Sequence, residues 1–227
     1  MSTKVAMVLF PDLTQLDLTG PYEVFNRMPS TKVALLSSSL APVRTEWGMT
    51  LMPDATFESS SDFDVICVPG GWGVNQALES RELIAFLRDR GTSARYTTSV
   101  CSGALLLGAA GLLEGYRATT HWMSHELLQL FGAIPVHERV VIDRNRITGG
   151  GVTAGIDLAL VIAAEMFGDD VAQEIQLAIE YDPAPPFMSG SPVTAPAMVR
   201  DTVLQRSAVA LSERRTIIER LTKERGT

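Results

Sequence analysis

Short apolar runs alternate with helical patterns along the chain. Six runs are predicted to form strands, at residues 5–10, 32–37, 64–68, 96–100, 117–120 and 140–142. Four segments are predicted to be helical, at residues 20–27, 75–89, 102–113 and 156–167. The stronger strand segments are continuous in hydrophobicity rather than alternating, so they predict a parallel sheet covered by helices on both faces. The expected fold class is therefore α/β.

A proline-rich segment separates this pattern from the end of the chain. Residues 182–196 contain five prolines, which favour an extended arm. Residues 197–225 then show a helical pattern with four candidate inward positions, namely Val203, Leu211, Ile218 and Leu221. We therefore predict one domain over residues 1–190, followed by an arm and a helix over residues 191–227 that pack on it.

Composition and charge narrow the class of protein. The 227 residues are 46% hydrophobic and 20% charged, which is typical of a well-packed globular protein. The net charge of −7 argues against a nucleic-acid partner. Residues 199–227 carry a net charge of +3, whereas the rest of the chain carries −10. A mildly basic helix on an acidic body favours a docked or dimer-forming helix over a DNA-binding arm.

The cysteines and the hydropathy pattern favour a reducing compartment. Cys67 and Cys101 do not have the number or spacing of a disulfide framework or a zinc site. The apolar run at residues 5–10 is too short for a signal peptide, and no later run approaches 18 apolar residues. We expect a cytoplasmic protein that has no membrane partner and keeps its thiols free.

Cys101 lies at the junction between a predicted strand and a helix of small residues. Residues 96–100 lead directly into Cys101, with no loop between strand and helix. A residue at such a junction occupies a sharp turn at the carboxyl end of the strand, which is the geometry of a nucleophile elbow. Unpaired N–H groups at the start of the helix favour a thiolate. The alternative is a buried cysteine that acts as a small apolar side chain; the elbow context favours a reactive one.

Two further segments are expected to approach Cys101. Asp17 follows the first strand, and the pair Gly70-Gly71 follows the third. Loops at the carboxyl ends of parallel strands converge, so Asp17 can meet Cys101, although a helix-capping role fits Asp17 equally well. The N–H groups of the glycine pair and of Ser102 can form an oxyanion-type cradle, or the pair can be an ordinary tight turn.

The remaining candidates are three consecutive glycines and the three histidines. Residues 149–151 permit close packing, which we favour, or a small helix shift about Gly150 when Cys101 loses its negative charge. His121 and His125 have metal-capable spacing but no third ligand beside them, so no metal site is predicted. His137 is isolated and Cys67 lies in an apolar strand, so both are expected to be structural.

Several of these motifs together resemble the class I glutamine amidotransferase-like superfamily, and within it the PfpI branch. The matching segments are Gln15 to Pro21, Val68 to Gly71, Ser99 to Gly103, Arg117 to Trp122, Gly132 to Val141, Thr148 to Asp157 and Tyr181 to Phe187. Within that branch the chain is most similar to the isocyanide-hydrating enzymes, and the similarity extends over nearly the whole chain.

The resemblance implies a homodimer with a flavodoxin-like fold. It further implies cofactor-free hydration of organic isocyanides to N-substituted formamides through a thioimidate. Cys101 matches the nucleophile of these enzymes, and Asp17 matches its acidic partner. Ser102 stands where threonine is common and keeps the hydroxyl, whereas Val152 stands where a slightly larger aliphatic residue lines the substrate pocket. Gly71 is also expected to bind substrate.

Two other functions share parts of the pattern. Sensor domains of AraC-type regulators carry several of the same motifs, so a ligand- or oxidation-sensing domain without its DNA-binding module is the main alternative. A cysteine hydrolase or glyoxalase-like enzyme is disfavoured by Ser102, where a histidine would be expected, and by Asp17, where the glyoxalase-like members carry glutamate.

Overall fold

The computed structural model describes residues 2–59 and 62–225, which fold around one central sheet. The strands are β1 (Thr3–Val8), β2 (Thr31–Ser37), β3 (Val43–Arg44), β4 (Thr50–Leu51), β5 (Ala55–Thr56), β6 (Val65–Val68), β7 (Tyr96–Val100), β8 (Arg117–Ala118), β9 (Ile134–Pro135), β10 (Val140–Asp143) and β11 (Arg146–Gly149). The helices are α1 (Gln15–Phe25), α2 (Val74–Ala77), α3 (Arg81–Ser93), α4 (Gly103–Ala109), a 3₁₀ helix (Trp122–Phe131), α5 (Ala154–Phe167), α6 (Asp169–Ala178) and α7 (Ala197–Arg225).

The central sheet has seven strands in the order β10–β11–β7–β6–β1–β2–β5. All neighbouring strands are parallel except β10 and β11, which form an antiparallel edge pair. Two small pairs lie outside this sheet, an antiparallel hairpin of β3 and β4 and a parallel pair of β8 and β9. The predicted α/β class and its flavodoxin-like arrangement are confirmed.

Helices cover the sheet in two groups. Helix α1 packs on α5, which packs on α6, whereas α4 packs on α3 and on the 3₁₀ helix. The central strands are buried along their length: every residue of β6 and residues 5–8 of β1 are inaccessible to solvent. Burial on both faces explains the continuous hydrophobicity of these strands. None of the described helices is long and apolar enough to span a bilayer.

Several element boundaries differ from the sequence-based prediction. Helix α1 begins at Gln15 rather than at residue 20, so Asp17 lies in its first turn and Pro21 in its interior. The helix predicted over residues 75–89 is divided into α2 and α3, because the Ser80 hydroxyl caps α3 by accepting from the N–H of Leu83 at 3.3 Å. Strand β11 and helix α6 were not predicted, since β11 is short and contains arginine and glycine.

Helix α7 follows the proline-rich segment, as predicted. Its second half packs on the body, where Ile218 is fully buried. Val203 is 38% exposed, so the prediction of an inward Val203 is wrong. Residues 197–206 of α7 are exposed or only partly buried, so periodicity alone could not separate buried from exposed positions. Within residues 197–224 of this helix, four residues are buried, namely Ser207, Arg214, Ile217 and Ile218. The domain boundary at residue 190 stays a prediction.

Candidate active site

Cys101 occupies the turn between β7 and α4 in a left-handed backbone conformation. Its φ of 56° is sterically unfavourable for a residue with a side chain, and neighbouring segments hold it there. The Cys101 N–H donates to the carbonyl of Gly149 at 3.1 Å, and the Thr120 hydroxyl donates to the Cys101 carbonyl at 2.7 Å. The predicted elbow is therefore present, and its turn is clamped from two sides.

Ser102 follows at the start of α4 and faces Cys101 with both its N–H and its hydroxyl, which lower the pKa of the Cys101 thiol. The Ser102 Oγ accepts from the N–H of Gly71 at 3.1 Å and lies 3.3 Å from the carbonyl of Gly71. A hydroxyl has one proton to donate. Its proton can therefore go either to Gly71 or to the sulfur.

Asp17 is fully buried beside Cys101. Its Oδ2 accepts from the N–H of Gly70 at 2.8 Å, and burial raises the pKa of Asp17 to about 7. The Gly70 N–H and the contact with the Cys101 thiol lower this pKa, and the charge of Glu46 raises it. The Asp17 Oδ1 has no hydrogen-bond partner of ordinary geometry among the described residues. The contact between carboxyl and thiol is therefore loose in the resting site, as is common before substrate binds.

The protonation state of Cys101 differs from the sequence-based expectation of a thiolate. Burial, and then the neighbouring Asp17 carboxylate, raise the pKa of the Cys101 thiol well above its ordinary value. Ser102 and the guanidinium of Arg214 oppose this rise but do not overcome it. Cys101 is only 6% exposed, so desolvation of the charged form outweighs the N–H groups at the start of α4. The resting Asp17–Cys101 pair therefore retains a proton.

A cavity of about 150 Å³ opens onto the sulfur. It is lined by Thr14, Glu46, Gly71, Trp72, Cys101, Ser102, His121, Met123, Val152 and Arg214. The expected substrate-binding residues Gly71, Ser102 and Val152 are thus brought together with Cys101. Asp17 is adjacent to the sulfur but does not line the open cavity.

Of the two alternatives for Gly70-Gly71, the hydrogen bonds of the described residues argue against the oxyanion-type cradle. The Gly70 N–H bonds to Asp17 and the Gly71 N–H bonds to Ser102, so both donors are already used by the protein. The glycine pair therefore positions the acid and the hydroxyl rather than a ligand. A Cβ at Gly70 would lie 2.5 Å from the Ser102 nitrogen, which shows how closely this loop approaches the elbow.

Replacing Gly71 by alanine is expected to destabilise the protein by about 2–4 kcal/mol. Gly71 has a φ of 127°, and its Cβ would lie 2.5 Å from the backbone nitrogen of Thr14 and 2.7 Å from the carbonyl of Asp12. Thermal unfolding should show a midpoint lower by about 5 °C or more. Gly151→Ala is the matched control, since its nearest atom lies 4.0 Å away. A Gly71→Ala midpoint within about 2 °C of wild type would contradict this account.

Gly150 lies between β11 and α5, outside the cavity lining. Its N–H donates to the carbonyl of Arg139 at 2.9 Å, and a Cβ at this position would lie 3.6 Å or more from its nearest neighbours. The described backbone therefore does not require glycine at this position. The hinge hypothesis for Gly150 stays a prediction.

The histidines and Cys67 have separate environments. His121 lines the cavity, and burial, followed by the charge of Arg214, lowers its pKa to about 4. His125 instead stacks on His137 at 3.6 Å and contacts the carbonyl of Val136 at 3.0 Å through Nε2. No metal-binding cluster of His, Cys, Asp or Glu occurs among the described residues. Cys67 is fully buried with a pKa raised to about 12, as expected for an inert core thiol.

Five residues that line the cavity were not predicted from the sequence, namely Thr14, Glu46, Trp72, Met123 and Arg214. Glu46 lies in the β3–β4 hairpin, where it accepts from the Thr14 hydroxyl at 2.9 Å. Trp72 directly follows the glycine pair, which is the one local signal that could have identified it. Arg214 lies on α7, far from every motif in sequence, and only the fold brings it to the site.

The fold and the cysteine elbow define a class of protein. The chain belongs to the DJ-1/PfpI family, whose model matches residues 3–165. Within that class, the chain is 53% identical to isonitrile hydratase of Pseudomonas putida, over 97% of this chain and 96% of that protein.

Two further comparisons place this similarity in context. A crystal structure of a ThiJ/PfpI family protein from Pseudomonas syringae matches with a TM-score of 0.93 and 44% identity, over 96% of this chain and 91% of that one. The HTH-type transcriptional regulator GbdR of Pseudomonas aeruginosa is 27% identical over 78% of this chain, which corresponds to 50% of the regulator. The match to the regulator is therefore both weaker and partial.

Proposed function

We propose that this protein hydrates organic isocyanides to N-substituted formamides. The observation that carries the proposal is the placement of Cys101, a soft nucleophile, against Asp17, a buried carboxyl whose pKa is raised to about 7. A group that titrates near neutral pH can both hold and release a proton during turnover. The 53% identity with isonitrile hydratase over nearly the whole chain supports the same reaction here.

In the first half of the reaction, sulfur and proton add to the same carbon. The terminal isocyanide carbon accepts the electron pair of the Cys101 sulfur and forms a C–S bond. The proton that the Asp17–Cys101 pair holds is transferred to that carbon, with Asp17 as the donor. The product is a thioimidate, in which the carbon carries one hydrogen, the sulfur and a doubly bonded nitrogen. Ser102 stabilises the sulfur by donating from its N–H and hydroxyl.

In the second half, water replaces the sulfur. Water adds to the thioimidate carbon, one of its protons goes to nitrogen, and the carbon becomes tetrahedral. Collapse forms the formamide carbonyl and breaks the C–S bond. The remaining proton returns to the Asp17–Cys101 pair, so the site is restored and one water is consumed per isocyanide. This scheme requires no metal or redox cofactor.

The cavity wall indicates the chemical character of the substrate. Trp72, Met123 and Val152 form its apolar part, and its volume of about 150 Å³ suits an apolar substituent of modest size. The family resemblance implies a slightly larger aliphatic residue at position 152, and valine there would leave more room. We therefore propose alkyl and aryl isocyanides as the substrate class.

The direct test is to incubate the purified protein with a simple aliphatic isocyanide and to follow the formamide proton by NMR. Formamide should appear far above the rate in buffer, in proportion to enzyme concentration. If a panel of alkyl and aryl isocyanides yields no formamide while Cys101 still reacts with iodoacetamide, the proposed function is wrong. Iodoacetamide shows in that case that the thiol is present and accessible.

We also propose that the protein acts as a homodimer in a reducing, cytoplasmic compartment. Several large apolar side chains of the arm and of the first part of α7 are exposed in the single chain, namely Phe187, Met188, Val193 and Met198. Several exposed apolar side chains within one segment of the chain favour burial against another protein surface.

Sedimentation at micromolar concentration should give twice the mass of one chain, because the dimer would bury these apolar side chains. Met198→Glu, which places a charge among these exposed apolar side chains, should raise the dissociation constant. Glu224→Gln, at the far end of α7, serves as the matched control. A single-chain mass for the wild-type protein would contradict the dimer, and salt-sensitive binding to random duplex DNA would favour the regulator alternative.

A further inference from the structure

Arg214 is a buried cation whose hydrogen-bond partners are all neutral. It is 3% exposed, and its guanidinium donates to the Asn75 Oδ1 at 2.8 Å, the Ser124 Oγ at 3.0 Å and the Gly71 carbonyl at 3.1 Å. Within residues 2–59 and 62–225, no carboxylate forms an ion pair with it. Its neighbour Arg215 is exposed and pairs with glutamates. Burial of a charge is costly unless an opposite charge compensates it.

The group that can supply this opposite charge is Cys101. Arg214 and Cys101 line the same cavity, and each acts electrostatically on the other. The other charged or titratable groups around the sulfur are Asp17 from α1, Glu46 from the β3–β4 hairpin and His121 from the start of the 3₁₀ helix. His121 is neutral at physiological pH, because its pKa is about 4. Arg214 is therefore the positive charge in this set.

Arg214 is also tied to the loop that holds the other active-site groups. The Gly71 carbonyl accepts from Arg214, while the N–H groups of Gly71 and Gly70 hold the Ser102 hydroxyl and the Asp17 carboxylate. The Ser102 hydroxyl also approaches the Gly71 carbonyl, at 3.3 Å, so Arg214 competes with it for this acceptor and favours donation of the hydroxyl proton to sulfur. A substitution of Arg214 is therefore expected to affect the positions of both Ser102 and Asp17.

The guanidinium is held in a fixed orientation. The Asn75 amide nitrogen donates to the Ala210 carbonyl at 3.0 Å and to Glu213 at 3.1 Å, so its oxygen is turned toward Arg214. The Arg214 guanidinium also lies 5.7 Å from the centre of the Trp72 ring, which is part of the cavity wall. These contacts join α7 to the site from two sides.

We propose that Arg214 is a positioning residue for this reaction, whose charge compensates the thiolate of Cys101 during attack and departure and whose bond to Gly71 orients Ser102. The turnover part of this proposal rests on the proposed function, whereas the effect on the thiol does not. Because Arg214 lies on α7, this role makes α7 part of the active site. The family model ends at residue 165 within α5, so this contribution lies outside the matched family domain.

The test uses two substitutions that separate charge from hydrogen bonding. Arg214→Gln keeps an amide donor but removes the charge, and Arg214→Lys keeps the charge. Arg215→Gln is the matched control, because Arg215 is exposed one residue further along the same helix. The first readout is the rate of Cys101 alkylation by iodoacetamide as a function of pH, with Cys101→Ala as the blank. The second is kcat and KM for isocyanide hydration.

Arg214→Gln should raise the apparent pKa of Cys101 by about one or more and slow alkylation at neutral pH about tenfold or more. The value of kcat should fall by a similar factor while KM changes less. Arg214→Lys should keep the wild-type alkylation profile, and Arg215→Gln should match wild type in both readouts. If Arg214→Gln does not fold, Arg214→Lys decides: an alkylation profile displaced from that of the wild type would overturn the charge role.

Two further outcomes separate the role of Arg214 from the proposed function. Loss of turnover in Arg214→Gln with an unchanged alkylation profile would show a merely structural residue and overturn the proposal. If the wild-type protein does not hydrate isocyanides but Arg214→Gln displaces the alkylation profile, the proposed function fails and the role of Arg214 stands. The two proposals can therefore fail separately.

Discussion

Replacing Cys101 by alanine is expected to abolish isocyanide hydration while leaving the fold intact. The sulfur forms the bond that activates the isocyanide carbon, and Cys101 is the one thiol among the residues that line the cavity. Loss of a covalent nucleophile commonly costs several orders of magnitude in kcat. The measurement is formamide production under saturating isocyanide, compared with wild type at equal concentration of folded protein. Residual activity above a few per cent would contradict the covalent mechanism.

A covalent adduct gives an independent measurement of the same prediction. Wild-type protein quenched in acid during turnover should gain the mass of one isocyanide, and Cys101→Ala should not, because the thioimidate is bound through sulfur. Cys67→Ala is the matched control, since Cys67 is fully buried in β6 and has a pKa raised to about 12. It should keep its activity and form the adduct. An adduct in Cys101→Ala would place the nucleophile elsewhere.

The elbow is the part of the site that the sequence predicts best. Strand β7 has the predicted bounds, and the left-handed φ of Cys101 follows from a direct junction between strand and helix. All the residues that decide this geometry are neighbours in sequence. Asp17 was expected on a loop but lies in the first turn of α1, and it still approaches Cys101 because β1, β6 and β7 are adjacent in the sheet.

The protonation of the site could not be predicted because it depends on burial. The start of α4 favours a thiolate at Cys101, yet desolvation of a residue that is 6% exposed has the larger effect. The acceptors of the Gly70 and Gly71 N–H groups could not be predicted either, because they lie in other parts of the sequence, on α1 and at the start of α4. The sequence shows which backbone N–H groups are available as donors, but not which side-chain acceptors bind them in the folded protein.

Arg214 was missed because its three acceptors come from distant segments. Asn75 lies on α2, Ser124 on the 3₁₀ helix and Gly71 in the loop after β6, and they converge only when α7 docks. By pattern, Arg214 is one of several arginines on a charged helix, so a solvated position was the natural expectation. The basic character of the tail follows from the sequence, but the burial of Arg214 follows only from the folded chain.

Asp17→Asn is expected to lower hydration by about 10²–10⁴-fold, because the amide cannot carry the proton to the isocyanide carbon. Alkylation of Cys101 should behave differently. The Asp17 carboxylate is one of the two causes that raise the pKa of the Cys101 thiol, so its removal should keep or increase the reactivity with iodoacetamide. Loss of turnover combined with retained reactivity of Cys101 toward iodoacetamide distinguishes this variant from Arg214→Gln, in which turnover and reactivity should both fall.

The dependence of thermal stability on pH tests the ionisation of Asp17 independently of catalysis. Burial raises the pKa of Asp17 from 3.8 to about 7, so the ionised carboxylate is less favourable in the folded protein than in the unfolded chain. The protonated Asp17 carboxyl therefore contributes its full stabilisation below pH 3.8. This stabilisation is lost as the pH rises toward 7. Thermal midpoints of wild type should fall across this window relative to those of Asp17→Asn. An Asp17→Asn protein that is less stable than wild type at pH 8 would contradict the ionisation assigned to Asp17.

The same titration predicts the pH profile of the enzyme. Below about pH 7 both members of the Asp17–Cys101 pair are protonated, and the sulfur is a poor nucleophile. Above it the pair carries one proton, which can move to the carboxyl as sulfur attacks, so kcat/KM of wild type should rise with pH to a plateau, with a midpoint of about 7. The residual kcat/KM of Asp17→Asn should not show this rise with a midpoint of about 7. If the variant keeps a rise with the same midpoint, the proton belongs to another group and the role of Asp17 must be reassigned.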